Sequence, residues 1–434
     1  MKGRIGVVLV CVVLAAVTLL APLPASAGGG LGEPRVTQLG TFGGIDYVQY
    51  DGIFQGQTST GAYRVPYRIT APADPGRGNR TILVEPSHYV GGLGALEFWL
   101  GRDFLLSRGF VHAGIGWSTA SPDGGDMRIL DPTVPGVFIN GGVEDGNGRT
   151  DDEIIADFAR ALAVDPGARL LLGPVERRYL TGFSDSSDPV LRLVASGRAA
   201  GVFDFVLPIT ANRGVPSTEG IDPQAAIAAG AYGGKLMIVN SEFETFTGLV
   251  DRGVAPSQYR YYAVAGTPHI PDILVPSFAN GTTPASYQPA LHAHFLQGDD
   301  WVKGGKQPPS STQLKTSNGV TLDRDGNGNA ISVDAKGKRV PRLPFVELGE
   351  ARFVTDFLGS YDNVKSIENL GFRNHAAYLK AFDKALKDYL KAGYILQEDA
   401  DAMSRRAALC APLTFTEMYR DYYDAFTAIV PCGG

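Results

Sequence analysis

Cysteine is scarce in this chain, with three in 434 residues. Once Cys11 is set aside with the N-terminal segment, no more than one intrachain disulfide can form. Cys410 and Cys432 lie near the C-terminus, and in an exported chain they are expected to close a short terminal loop. Two free thiols or a metal pair are the alternatives. A basic cluster is also missing, since 39 Lys and Arg stand against 45 Asp and Glu for a net charge of −6. Loss of Lys2 and Arg4 would make the chain two units more negative. Without a basic patch to neutralise phosphates, nucleic acid is excluded as an expected partner. Beyond the first residues no apolar run approaches the length of a membrane-spanning helix.

The exception is the N-terminus itself. Lys2 and Arg4 precede an apolar run from Ile5 to about Ala21, and Ala25-Ser26-Ala27 follows as a small-x-small cleavage site. Residues 1–27 therefore read as a signal peptide, which predicts a secreted or periplasmic protein with no membrane attachment after cleavage. An uncleaved anchor helix is the alternative, disfavoured by Pro22 and Pro24. Cys11 follows Val8-Leu9-Val10 too early for lipoprotein-type processing.

From about residue 45 to 275, short β-rich runs alternate with helical patterns, the arrangement of a mostly parallel sheet flanked by helices. The fold class expected is α/β. Strands are predicted at Tyr47 to Phe54, Ala62 to Thr70, Arg80 to Glu85, Val111 to Trp117, Arg178 to Phe183, Phe203 to Ile209, Lys235 to Asn240 and Arg260 to Ala265. Helices are predicted at Ala95 to Ser107, Asp152 to Val164, Pro189 to Ser196 and Pro223 to Ala229. Residues 119–150 are rich in Gly, Pro, Asp and Asn and read as a long excursion over the sheet, a functional place for a loop of that size. The core is set at 28–275. Residues 276–434 form a lid or accessory region whose end, with apolar residues recurring from Ala376 to Leu390, is helical.

The stretch Thr181-Gly182-Phe183-Ser184-Asp185-Ser186 ends a strand and opens a helix that carries Pro189 in its first turn. It resembles the G-x-S-x-G nucleophile elbow of the α/β-hydrolase superfamily, with Ser186 in place of the last glycine. A serine needs a base to take its proton and a carboxylate to orient that base. The resemblance implies the order Ser, acid, His, each at the end of a strand. Glu244 follows the apolar strand Lys235 to Asn240 at the offset this superfamily uses for its acid, with Glu242 as the competing choice. His269, after the strand and turn Tyr261 to Pro268, is the expected base and one of only six histidines.

An acyl-transfer site also needs backbone donors for the oxyanion. The resemblance implies Asp185 N–H as one, and His88 or Tyr89, in the glycine-rich turn after Ile82 to Glu85, as the other. Trp117, Phe183, Phe243 and Phe246 are close enough in sequence to these loops to line an apolar acyl pocket, and core packing is the alternative for each.

Taken together, Glu85-Pro86-Ser87-His88, Thr181 to Ser186, Ala265 to His269, and Asp325 to Ala330 leading to Arg339 to Pro344 are similar to the bacterial family called alpha/beta hydrolase domain proteins, in which a long C-terminal region follows the sheet core. That resemblance implies an ester-hydrolase-like activity; the substrate expected is a small-molecule or polymeric ester, and no cofactor is expected. An amidase or peptidase using the same residues, and a hydrolase-like binding protein without catalysis, are the alternatives. Asp323, Asp325, Asn327, Gly328, Asn329 and Asp334 fall on positions of a calcium loop, but flanking strand-like residues and Asp rather than Glu at the last position favour a plain turn.

Overall fold

The computed structural model describes residues 30–59, 61–88, 92–94, 100–117, 128–130, 138–140, 152–211, 222–247, 249–271, 283–319, 321–409 and 411–424. The N-terminal segment, Tyr89, Cys410, Cys432 and most of 119–150 lie outside them. An antiparallel start is formed by β1 (Gly30–Leu31), β2 (Arg35–Phe42), β3 (Ile45–Thr58) and β4 (Gly61–Pro72). The parallel body follows with β5 (Thr81–Pro86), β6 (Val111–Ile115), then, after a small pair β7 (Arg128–Leu130) and β8 (Phe138–Asn140), β9 (Arg177–Phe183), β10 (Phe205–Ile209), β11 (Lys235–Ser241) and β12 (Tyr259–Val264). Towards the C-terminus come β13 (Thr312–Leu314), the hairpin β14 (Thr316–Ser317) and β15 (Thr321–Leu322), β16 (Ser332–Asp334), and the hairpin β17 (Arg352–Val354) and β18 (Ser360–Asp362).

Twelve strands make one sheet in the order β1-β3-β4-β6-β5-β9-β10-β11-β12-β13-β16, with β2 on the outer side of β3. Pairing is parallel from β6 through β13 and antiparallel at both flanks. All eight predicted strands are present. The reason is visible in the alternation of side chains: Leu236 and Ile238 enter one core cluster, Met237 and Val239 the other, so a run apolar at every position is a strand buried on both faces.

One face is covered by helices Asp152–Val164 and Ser187–Ala195, which bury Ile154, Ile155, Phe158 and Leu162, and Val190, Leu191, Leu193 and Val194. Asp152 holds Arg192 by two hydrogen bonds of 2.8 Å, tying the two helices together. The other face is covered by helix Gln288–Val302 and by the C-terminal helices, among them His375–Lys391, whose start is capped by the Asn374 side chain accepting from Ala377 N–H at 2.9 Å. β13 and β16, both beyond residue 276, extend the central sheet. Of the predicted helix at Ala95 to Ser107, Arg102–Leu106 is helical and residues 95–99 lie outside the described residues. The predicted strands around Asp323 to Asp334 meet only beside the turn, at the antiparallel Arg324–Ala330 bridge; further out β15 pairs β14 and β16 pairs β13.

Glu350 joins three C-terminal elements. Its carboxyl accepts from Tyr378 Oη at 2.7 Å and from Thr416 N and Oγ1 at 3.0 Å each. Burial pushes this carboxyl up to about 7, against the opposing pull of the Tyr378 and Thr416 donors. The folded protein therefore keeps a proton that the unfolded chain releases near the ordinary glutamate value. This contribution is present in full below that value and is lost as pH rises through about 7, on the order of 3 kcal/mol in total. Urea melts of wild type and Glu350→Gln at pH 5 and pH 8 should show the wild type losing stability relative to the variant as pH rises. An unchanged difference would mean that Glu350 holds no proton at pH 5.

Candidate active site

Strand β9 is paired on both sides, to β5 and β10, and ends at Phe183. Ser184 follows at φ +52°, a left-handed conformation for a residue with a side chain, and a short turn Ser184–Ser186 leads into helix Ser187–Ala195. Gly182 is required by this turn, since a Cβ there would lie 2.2 Å from the Ser186 carbonyl oxygen. Ser186, the departure from the glycine pattern, is fully buried, and its hydroxyl donates to Phe183 O at 2.9 Å and accepts from Phe183 N–H at 2.8 Å. The extra hydroxyl thus closes the last backbone groups of the strand.

His269 reaches Ser184 from the loop after β12. Its Nε2 lies 2.8 Å from Ser184 Oγ, and its Nδ1 is hydrogen-bonded to Glu244 Oε1. Glu244 is buried after β11, and its other oxygen accepts from Ser241 N–H at 3.0 Å and Ser241 Oγ at 2.6 Å. Tyr287 Oη donates to the His269 carbonyl at 3.1 Å. Because a carboxylate can only accept, Nδ1 carries the proton and Nε2 is left to accept from the serine hydroxyl. Such an arrangement can take a proton from Ser184 as the hydroxyl attacks a carbonyl carbon.

Glu242 does not meet the histidine ring. One of its oxygens accepts from Gly266 N–H at 2.7 Å; the other accepts from Thr355 Oγ1 at 2.9 Å and pairs with Arg324 at 3.0 Å. Of the two expected oxyanion donors in the turn after β5, Tyr89 lies outside the described residues. The His88 amide departs from expectation: it donates to Gly92 O at 3.0 Å, closing its own turn and leaving no free N–H for a substrate. Its ring instead reaches the residue after Ser184, with Nε2 2.7 Å from Asp185 Oδ1.

Among the expected pocket residues, Phe183 and Phe243 flank the His269 ring at centroid distances of 5.3 and 5.7 Å. Trp117 is a core residue, its indole N–H donating to Ser87 O at 3.0 Å. The Phe246 side chain lies outside the described residues. Two neighbours were not legible in sequence. Phe357 stacks on His269 at 4.8 Å with an interplanar angle of 20°. Thr210, at the end of β10, is a buried β-branched residue at φ +46°.

The residues with calcium-loop spacing do not fit a cation. Asp325 pairs with Arg342 at 2.8 Å and accepts from the amides of Asn327 and Asn329; Asn327 Oδ1 accepts from Lys365 Nζ. Although burial opposes it, the Arg342 guanidinium holds the Asp325 carboxyl below its ordinary range. Asp323 pairs with Lys315, and Asp334 accepts from the amides of Lys336 and Lys338. Protein cations and amides occupy the oxygens that a metal would need, and no metal-holding group of three His, Cys, Asp or Glu side chains exists among the described residues.

The family profile described as alpha/beta hydrolase domain matches residues 48–405. Solved structures that align with the chain include an S-formylglutathione hydrolase from Agrobacterium tumefaciens, 12% identical over 54% of this chain and 90% of that one with a TM-score of 0.30. A siderophore hydrolase from Aspergillus nidulans is 14% identical over 49% and 88%, TM-score 0.28, and a glucuronoyl esterase from Solibacter usitatus 13% identical over 51% and 69%, TM-score 0.30. Similarity at this level carries no argument about substrate. A comparison with curated proteins finds no match.

Removing the Ser186 hydroxyl tests the local account of the turn. Ser186→Ala leaves the Phe183 N–H without its acceptor, and urea unfolding should show a loss of about 1–3 kcal/mol with an unchanged denaturant slope. Stability equal to wild type would mean that the hydroxyl does not hold the turn.

Proposed function

Because the chain belongs to the alpha/beta hydrolase domain family, we propose that it is an exported serine hydrolase that cleaves carboxylic esters, small or polymeric, through Ser184, His269 and Glu244. The observation that carries this reading is the unbroken hydrogen-bonded line from Glu244 through His269 to Ser184, which follow β11, β12 and β9, three of four successive parallel strands. In this reading Ser184 Oγ attacks the acyl carbon while His269 Nε2 takes its proton. The same proton passes to the departing alcohol oxygen as the acyl carbon–oxygen bond breaks. Water then repeats the sequence on the acyl-enzyme, and Glu244 stabilises the imidazolium in both halves. The Asp185 amide, at the start of the helix-forming turn, is the proposed first oxyanion donor.

Labelling with a fluorophosphonate probe, followed by matched ester and anilide panels, tests the proposal. Wild type should label and hydrolyse esters; Ser184→Ala should neither label nor turn over, with kcat lowered on the order of 10^6-fold. Ser184→Ala combined with His269→Ala should cost little more than either alone, because the residues act as a unit. Glu244→Gln should be crippled well beyond Glu242→Gln. Absence of labelling in folded wild type would leave a binding protein, and preferential anilide cleavage an amidase.

A further inference from the structure

The aromatic ring over His269 comes from the far end of the chain. Phe357 sits at the tip of the β17–β18 hairpin, and its carbonyl accepts from Ile270 N–H at 2.9 Å, next to the histidine. The hairpin is held in place from three directions. Asn329 donates to Ala351 O at 2.8 Å and accepts from Phe353 N–H at 2.9 Å, fixing β17. Thr355 donates to the buried Glu242, which also grips Gly266. At Gly359 (φ +72°) the backbone passes so close to Pro268 that a Cβ would lie 2.7 Å from it. A ring delivered by so many contacts would ordinarily be buried, yet Phe357 remains 51% exposed. One face lies on the imidazole, and Phe243 stands edge-on to it at 6.3 Å and 77°.

We propose that Phe357, with Phe243, forms the subsite for the alcohol portion of the ester and selects alcohols that carry an aromatic or bulky apolar group. The inference rests on the serine hydrolase reading above. Its geometric basis is the destination of the proton. His269 Nε2 must come within hydrogen-bond reach of the departing oxygen, so whatever that oxygen carries lies beside the imidazole. The acyl carbon, by contrast, is bound to Ser184 Oγ, with the elbow and the turn after β5 on its side. A half-exposed ring stacked on the imidazole is therefore placed to touch the alcohol and not the acyl chain. The offset and edge-on arrangements that Phe357 and Phe243 offer are those preferred by aromatic partners.

The subsite acts in only one half of the reaction. In acylation the Ser184 Oγ–acyl bond forms, the acyl–alcohol bond breaks, and the proton from Oγ leaves with the alcohol through His269. In deacylation water occupies the alcohol's place, so Phe357 has nothing to contact.

The test uses two sets of esters in the full-length enzyme: one acid with methyl, ethyl, benzyl and naphthylmethyl alcohols, and one alcohol with acyl chains of increasing length. Phe357→Ala should lower kcat/KM for the benzyl and naphthylmethyl esters by about 3- to 10-fold relative to the methyl ester. The deacylation rate, read from the decay of a preformed acyl-enzyme, and the acyl-length preference should not change. Phe357→Trp should keep the preference, and fluorophosphonate labelling of both variants should show that Ser184 and His269 still function. An equal loss on every alcohol, a slowed deacylation, or a changed acyl preference overturns the subsite while leaving the hydrolase reading intact. Wild type that labels but turns over no ester removes that reading and the subsite with it.

Discussion

Holding Ser184 at φ +52° is the constraint on which the rest of the site depends. A side-chain-bearing residue in this conformation costs on the order of 1–3 kcal/mol, and the strain persists only where the surroundings allow no other path. Here they do not. β9 lies between β5 and β10, and Thr181 Oγ1 donates to Leu207 O at 2.7 Å, so the strand cannot slide. Beyond the turn, helix Ser187–Ala195 buries Val190, Leu191, Leu193 and Val194 and cannot retreat. The two rigid elements approach so closely that only Gly182 fits between them. The serine projects because strand and helix leave the chain no gentler connection.

Two glutamates two residues apart divide the work of the neighbouring loop. Both are buried, and burial of an unpaired carboxylate is costly, so each must find donors. Ser241 supplies both an amide and a hydroxyl to Glu244, whose remaining oxygen is turned to His269. Glu242 is satisfied on the opposite side by Gly266, Thr355 and Arg324. One carboxylate orients the imidazole; the other joins the histidine loop to the C-terminal region. Arg324 and Thr355 lie on separate segments of that region, so residues far apart in sequence meet at the loop that positions His269.

The legible part of this structure was local. Strands β10 and β11 show as apolar runs and β12 as an aromatic-rich one; Glu244 and His269 follow the last two, Ser184 is marked by its small-residue turn after β9, and order and offset single out three side chains that the fold brings together. The preference for Glu244 over Glu242 rested on one offset, and the hydrogen bonds to Ser241 supply its physical cause. The remaining contacts have no local signature. Phe357 lies 88 positions beyond His269, and nothing in its neighbourhood marks it as a partner. Calcium-loop spacing records which residues bear oxygens, not where the lone pairs point; Arg342 and Lys365, both distant from the loop's start, direct them inward. The resemblance points to the His88 amide as a donor, but that amide is taken up by Gly92 O, a pairing that no sequence pattern announces.

The His88 ring has a role that its amide does not. In the proposed reaction, negative charge develops next to Asp185, itself a carboxylate. Two like charges about 5 Å apart at an effective dielectric of 20 repel by roughly 3 kcal/mol, enough to offset much of what an oxyanion donor contributes. Asp185 Oδ1 is turned to His88 Nε2 at 2.7 Å, and since the carboxylate only accepts, Nε2 must carry a proton. The imidazole N–H therefore draws the charge of Asp185 towards the β5 side and away from the carbonyl that Ser184 would attack. Phe183 lies within 5.4 Å of the His88 ring and 5.3 Å of the His269 ring, so one buried side chain sets the separation of the two histidines. An aspartate beside the nucleophile is then compatible with acyl transfer because the turn after β5 provides its partner.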